Sequence, residues 1–422
     1  MCKCEMGTPE QWIMIKPPAR SKVRAFRTAD PIDLCRRIAD KAPMQPFRFS
    51  TTPSVIFGAG SATRLGEAAL PLVGKRVLLV SDAGLLKAGL LAGPSSSLGA
   101  AGIEASLFTD VAADPPEHCV LAAAEAARQA GVTGIIGFGG GSPMDVAKLV
   151  ALLARSGEDL GSSYGIGNAK GPRLPLVLVP TTSGTGSEVT PIAIVTTGEA
   201  EKKGVVSPIL LPDLAILDPD LTLGLPAHVT AATGVDAMVH AIEAFTSASD
   251  NNNPVSRTLA REALALLGRH IERAVSHGAD QAARGAMMLG SMLAGQAFAN
   301  SPVAAVHALA YPVGGIFHVP HGLSNALLLP HVLAFNAPVA AEAYAELAPI
   351  IFAGHAPGNS LADAFRALSV RLGLPGRLRD VGIPHDAIPR LGEDAMKQTR
   401  LLVNNPRPLA LADALAIYEA AW

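Results

Sequence analysis

The run Gly134-Ile135-Ile136-Gly137-Phe138 passes without a break into Gly139-Gly140-Gly141-Ser142 and then into Pro143-Met144-Asp145-Val146-Ala147-Lys148. A short apolar run bounded by glycine reads as a buried strand, and the stretch after it as the start of a helix. A strand that turns this tightly into a helix is the unit from which parallel α/β sheets are built. The glycines leave backbone N–H groups unencumbered, and the helix N-terminus behind them favours negative charge. Gly139, Gly140, Gly141 and Ser142 are therefore candidates for holding a pyrophosphate, and Asp145, one turn into the helix, is a further candidate of the cofactor site. The spacing is neither that of a Walker loop nor the usual G-x-G-x-x-G, and a plain tight turn remains the alternative.

The surrounding chain keeps the same rhythm. Lys75 to Val80 reads as a buried strand ending at Ser81-Asp82, and Ala105 to Val111 as a second. A helix follows from about His118 to Ala130. An acid at a strand end can grip a ribose hydroxyl and repel a 2′-phosphate, which makes Asp82 a candidate for selecting NAD over NADP. Asp82 is equally suited to capping the helix behind it. Leu174 to Pro180 is another buried strand, opening into Thr181-Thr182-Ser183-Gly184-Thr185-Gly186-Ser187-Glu188. Hydroxyl donors at successive strand ends suggest a shared ligand crevice. Enrichment in β-branched and aromatic residues suggests a strand pair from Phe47 to Phe57, and a last strand ends near Asp218.

From Pro226 onward strand patterning stops and helical periods take over, so the expected division is residues 44–225 as an α/β domain and 226–422 as an all-helical domain. Within the second part, Asp236 and His240 are four apart and share a helical face. His307 lies in another helical pattern, and His321 opens a third. One oxygen and three imidazole nitrogens would suit Fe²⁺ or Zn²⁺. An Asp/His pair alone is as readily an ordinary hydrogen-bonded pair. Gly295 to Asn300, with the stretch around His307, could line a pocket, in which Asn300 could bind a hydroxyl or a carboxylate.

The net charge of −2 gives no footprint for nucleic acid or an anionic membrane, which points to a small-molecule partner. No run of about eighteen apolar residues is free of charge or turn residues, so no spanning helix is expected. Four cysteines, Cys2, Cys4, Cys35 and Cys119, are too few and too clustered for a disulfide framework, which fits a reducing cytoplasm. Residues 1–43, with nine Lys/Arg against five Asp/Glu and no apolar core of a secretory signal, read as a flexible extension.

Taken together, GGGSPMDVAK, PTTSGTGSE, GVDAMVHAIE, VHALAYPVGG and PHGLSNALLLPH stand in an order and spacing that resemble the iron-containing, group III alcohol dehydrogenase family, over residues 47 to 422. The resemblance implies an N-terminal dinucleotide-binding α/β domain with a parallel sheet, an all-α C-terminal domain and a metal between them. It carries the metal ligands to Asp236, His240, His307 and His321, the pyrophosphate loop to Gly139 through Ser142, and the NAD-selecting acid to Asp82. Thr181, Thr182 and Lys203 match positions that touch the cofactor. The implied reaction passes a hydride between NAD and a small alcohol or aldehyde whose oxygen the metal polarises. Hydroxyacid-oxoacid transhydrogenation and maleylacetate reduction are alternatives on the same fold, and a dehydroquinate synthase-like lyase is a distant one. Members of the family carry a second histidine one turn after the third ligand; here Tyr311 stands in that place, which bears on substrate rather than metal. The family also implies a homodimer or higher homo-oligomer, built through the Phe47 to Phe57 region. His318 precedes His321 by three residues but lies off the family spacing, and His331 could orient a ligand or simply pack.

Overall fold

Six parallel strands form the centre of the first half of the chain, in the order β1-β9-β6-β4-β2-β3. The computed structural model describes residues 45–198, 201–354 and 359–422, and Phe47–Trp422 forms one contact unit. The expected extension over residues 1–43 lies outside the described residues, as does His355. The strands are β1 (Val55–Phe57), β2 (Arg76–Val80), β3 (Glu104–Phe108), β4 (Gly134–Gly139), β6 (Leu176–Pro180) and β9 (Leu214–Leu217). Helices α1 (Leu65–Val73), α2 (Ala83–Lys87), α3 (Ala92–Ala100), α4 (Glu117–Gln129), α5 (Gly141–Ser156) and α6 (Leu160–Ser163) connect them. Side chains alternate across a strand, so Val77 and Leu79 of β2 pack into one apolar layer and Leu78 and Val80 into the other. Both faces are covered, which is why β2, β4 and β6 read as near-continuous apolar runs.

A second sheet of three short strands was not anticipated. In it β5 (Gly165–Ile166) runs parallel to β8 (Glu201–Val206), and β7 (Ile192–Thr197) pairs antiparallel with β8. The expected strand pair over Phe47 to Phe57 is corrected: only Val55–Phe57 is a strand, and it pairs with β9 rather than with a neighbour in sequence. The residues before it are laced along the rest of the molecule. Ser50 exchanges both backbone hydrogen bonds with the Asn300 side chain, and Thr52 Oγ1 donates to the Glu188 carbonyl.

The second half is helical: α7 (Ala227–Thr246), α8 (Pro254–Ser276), α9 (Gln281–Asn300), α10 (Ala305–Phe317), α11 (His321–Ile351), α12 (Leu361–Arg371), α13 (Ile388–Met396), α14 (Thr399–Leu402) and α15 (Leu411–Ala421). Small residues let these helices approach closely. A Cβ on Gly322, the second residue of α11, would stand 2.5 Å from the Ala232 carbonyl oxygen of α7. That approach sets His321 beside Asp236. By length and composition α11 could cross a membrane, yet Leu327, Leu328, Leu329, Val332 and Leu333 lie in the main helical core, as a central helix requires.

Candidate active site

Because β4 and β6 are hydrogen-bonded neighbours, their carboxyl ends deliver the two small-residue loops side by side. Thr181 N donates to the Gly139 carbonyl at 2.9 Å. A Cβ on Gly140 would lie 3.6 Å from the Thr182 side chain, and one on Gly141 would meet Thr185 at 2.9 Å. Gly139 has φ +155°, and a Cβ there would stand 2.7 Å from the Pro143 ring. Glycine at 139 and 141 is thus what lets the loop enter α5, whose first N–H groups have no partner within the helix. Gly139, Gly140, Gly141, Ser142, Thr181 and Thr182 are brought together here. Asp82, at the end of the adjacent β2, caps α2 by accepting the Leu85 N–H at 2.9 Å. Among the described residues its second oxygen has no hydrogen-bond donor.

Asp145 serves partly as a brace. It accepts from Ser187 Oγ at 2.6 Å and from Ile194 N at 2.9 Å, tying α5 to β7. Lys148, fully buried one turn on, donates to Ser187 Oγ at 2.8 Å and to the Ile192 carbonyl at 2.7 Å. Burial lowers its pKa to about 8, against the raising charges of Asp145 and Glu188. The lysine expected at the cofactor, Lys203, is not among the residues that line the cleft. Lys203 is half-exposed and pairs with Glu201 at 3.3 Å, whereas Lys202 lines the cleft, held by Asp114 Oδ1 at 2.7 Å and Thr196 Oγ1 at 2.8 Å. Alternation along β8 sends the two lysines to opposite faces.

In the helical half, one ligand atom from each of Asp236, His240, His307 and His321 falls within 4.8 Å of the others. Asp236 and His240 come from α7, His307 from the first turn of α10, and His321 from the first residue of α11. His240 Nδ1 lies 3.2 Å from the Gly184 carbonyl, and His307 Nδ1 lies 2.6 Å from Glu243 Oε2. Both contacts place the ring proton on Nδ1 and leave the Nε2 lone pair facing inward. Glu243 is itself fixed by the N–H groups of Ala304 and Val306. Asn325 Nδ2 donates to Asp236 Oδ1 at 2.6 Å and lies 3.3 Å from the Nε2 atoms of His307 and His321.

The electrostatics suit a cation. Asp236 is buried, and among the described residues no Lys or Arg lies within 4.0 Å of it. Burial opposes its ionisation, but the three imidazoles and Asn325 bring its pKa below the ordinary value. Burial drives His240 down to about 3 and also lowers His321, so those rings are neutral near pH 7. A buried carboxylate without a cationic partner is costly. Asn325 Oδ1, buried without any partner, is a further unmet acceptor beside the cluster.

A cavity of about 180 Å³ joins these parts, lined by the cluster, by Gly141, Ser142 and Asp145, and by Phe298, Tyr311, Lys202 and Arg400. Phe298 stacks on His240 at 4.3 Å between ring centroids. Asn300 is not part of the lining; its amide is spent on Ser50. Tyr311 is, with its ring 5.9 Å from that of His321. His331 borders a different cleft with Arg366 and Ser369, and the ring-orienting role falls to Glu243 and the Gly184 carbonyl. Sequence reasoning assigned no role to Glu243, Asn325, Lys148, Lys202 or Arg400. Glu243 had a legible signal, since it lies seven residues after Asp236 and three after His240, inside an otherwise apolar helix.

Two family profiles cover nearly all of the described chain: iron-containing alcohol dehydrogenase over residues 52–219, and the C-terminal part of the Fe-containing alcohol dehydrogenase family over 230–422. The chain belongs to the iron-containing alcohol dehydrogenase family. Long-chain-alcohol dehydrogenase 1 of Geobacillus thermodenitrificans is 40% identical over 374 residues, covering 86% of this chain and 94% of that protein. The NAD-dependent methanol dehydrogenase of Bacillus methanolicus is 30% identical over 380 residues, covering 88% of this chain and 99% of that one. A crystal structure of 1,3-propanediol oxidoreductase superposes with a TM-score of 0.85 at 36% identity, covering 90% of this chain and all of that chain. The parallel-sheet first half and helical second half are thus the architecture of the iron-containing alcohol dehydrogenases.

Proposed function

We propose that this family member oxidises a small alcohol to its aldehyde with NAD, and runs the reverse reduction, at a divalent iron held by Asp236, His240, His307 and His321, a set that Zn²⁺ also fits. When bound, such an ion supplies a Lewis acid that polarises the substrate oxygen. The observation that carries this reading is the shared cavity: the glycine loop and the four ligand atoms line the same space. Relatives named as alcohol dehydrogenases, one of them as NAD-dependent, support the reaction class.

The chain's own contribution is positioning. Gly141 and Ser142, at the start of α5, offer N–H groups to the cofactor pyrophosphate, and Thr182 offers a hydroxyl nearby. Asp82 is the ribose-gripping acid of the proposal. Glu243 and the Gly184 carbonyl hold two imidazoles correctly turned. Phe298, Val303 and Ala310 wall the reacting centre from water. Burial raises the pKa of Tyr311, so its hydroxyl stays protonated at neutral pH and can donate to a substrate oxygen. Holding the donor carbon against the nicotinamide ring then supplies much of the rate.

The same proposal assigns cofactor to residues 44–225 and metal to 226–422, a homodimer as the working form, and the cytoplasm as its compartment. The open edge of β1, where Ile56 and Phe57 stay exposed, supports pairing between copies. Replacement of His240 or His321 by Ala is expected to abolish NAD reduction while the circular dichroism spectrum stays native. Full activity in either variant would overturn the ligand assignment.

A further inference from the structure

The cavity lined by the four metal-ligand candidates is also lined by Arg400, Lys202 and Asp114. Lys202 and Asp114 neutralise each other at 2.7 Å. Arg400, carried by α14, has no such partner: among the described residues no carboxylate lies within 4.0 Å of its guanidinium. The side chain rests against Gly204 of β8, where an added Cβ would be 3.7 Å from Nη2, so the strand makes room for it. Tyr311 lies close to His321 and close enough to Arg400 for that cation to act on its hydroxyl. With Lys202 and Asp114 paired, Arg400 is the cation of this lining that no carboxylate among the described residues neutralises at contact distance. Phe298, Val303 and Ala310 supply apolar wall beside the polar groups of Ser142, Asp145 and Thr185.

A planar guanidinium lining a small cavity, with no carboxylate partner among the described residues, is suited to a bidentate contact with an oxyanion. We propose that the physiological substrate is a short ω-hydroxy acid or the matching aldehyde acid, its carboxylate or sulfonate gripped by Arg400 and Tyr311 while its hydroxyl or carbonyl end lies at the ligand cluster. This rests on the dehydrogenase reading and narrows its substrate class. Oxidation breaks the carbinol C–H bond, passes its electron pair as hydride to NAD⁺ and releases the hydroxyl proton. The acid group takes no part in that exchange, so Arg400 acts on binding and alignment.

The test compares matched pairs on iron-loaded protein: 4-hydroxybutyrate against 1-butanol, 3-hydroxypropionate against 1-propanol, and 2-hydroxyethanesulfonate for the sulfonate arm. The charged member of a pair is expected to have a kcat/KM higher by about 10-fold or more, on the scale of a charge-assisted contact. Arg400→Gln is expected to collapse that ratio through the KM for substrate, and Arg400→Lys to restore part of it. Whether the carboxylate or the sulfonate series shows the larger ratio distinguishes the two oxyanions. Equal or reversed ratios that Arg400→Gln leaves unmoved would overturn the proposal while leaving the dehydrogenase reading in place. A rise confined to the KM for NAD would also overturn it, by giving Arg400 to the cofactor. If no alcohol of either kind turns over, the dehydrogenase reading fails, and calorimetric titration with butyrate still decides the anion site. Binding that weakens in Arg400→Gln supports it, and no binding to the unaltered protein rejects it.

Discussion

Among single residues, Glu243 decides how well the cluster can hold an ion. It accepts from two backbone N–H groups and from His307, so its charge fixes the ring that faces the cavity. Glu243→Gln would turn an amide N–H₂ toward donors and leave His307 free to rotate. A loss of about 10–100-fold in metal affinity is expected, the usual scale for groups that orient metal ligands. Metal content after dialysis against a weak chelator checks it. Glu188 gives a pH signature. Burial, offset in part by a backbone hydrogen bond and by Lys148, raises its carboxyl pKa to about 7 from an ordinary 4.5. Between these values the native chain holds a proton that the unfolded chain has lost, so this group lowers stability as pH rises through that window. Below the window both states are protonated, and above it both are ionised, so the slope vanishes. Glu188→Gln is expected to flatten the fall in Tm between about pH 5 and pH 7; an unchanged fall would assign it to other groups. The ligand candidates themselves were legible because histidine is rare and chemically marked. Glu243 stood at a telling spacing from Asp236 and His240, but its contact with His307, like the place of Asn325, depends on which side chain a folded helix brings near.

Elements set the register of the site. Gly322 lets α11 start against α7, and a methyl group there would meet backbone that cannot swing away. Gly322→Ala is expected to cost about 1–3 kcal/mol of stability, as overpacking does, and to reduce metal content by moving His321 away from Asp236. Thermal unfolding and metal analysis read both effects; a variant with native Tm and full metal content would contradict this role. Strand and helix content followed from the sequence where burial was two-sided, as in β2, β4 and β6. It failed where pairing is local and half-polar. Charged Glu201, Lys202 and Lys203 hid β8, and without its register nothing in the sequence showed that Lys202 faces the cleft. The residues before Val55 have strand-like composition but pair with no strand; Ser50 and Thr52 are fastened instead to Asn300 and Glu188, 250 and 136 residues away, contacts that no local pattern encodes.

Across the whole molecule, two halves meet at one cavity. The parallel sheet brings the N–H groups and hydroxyls of its glycine and Thr/Ser loops, and the helical half brings one carboxylate and three imidazoles. The His240 contact with the Gly184 carbonyl and the brace of Asp145 and Lys148 on β7 fasten these parts to one cavity. Sequence order and spacing were enough to place both halves in one family, since five motifs occur together. That Arg400 and Lys202 line one cavity could not be read, because they lie about two hundred residues apart and meet only in the fold. The most direct measurement is NADH formation by protein stripped of metal and reloaded with Fe²⁺, read with iron stoichiometry, for the unaltered chain and for His307→Ala. Activity that disappears on stripping, returns with about one iron per chain and never returns in the variant is the expected result. Undiminished turnover in the stripped protein would contradict the account.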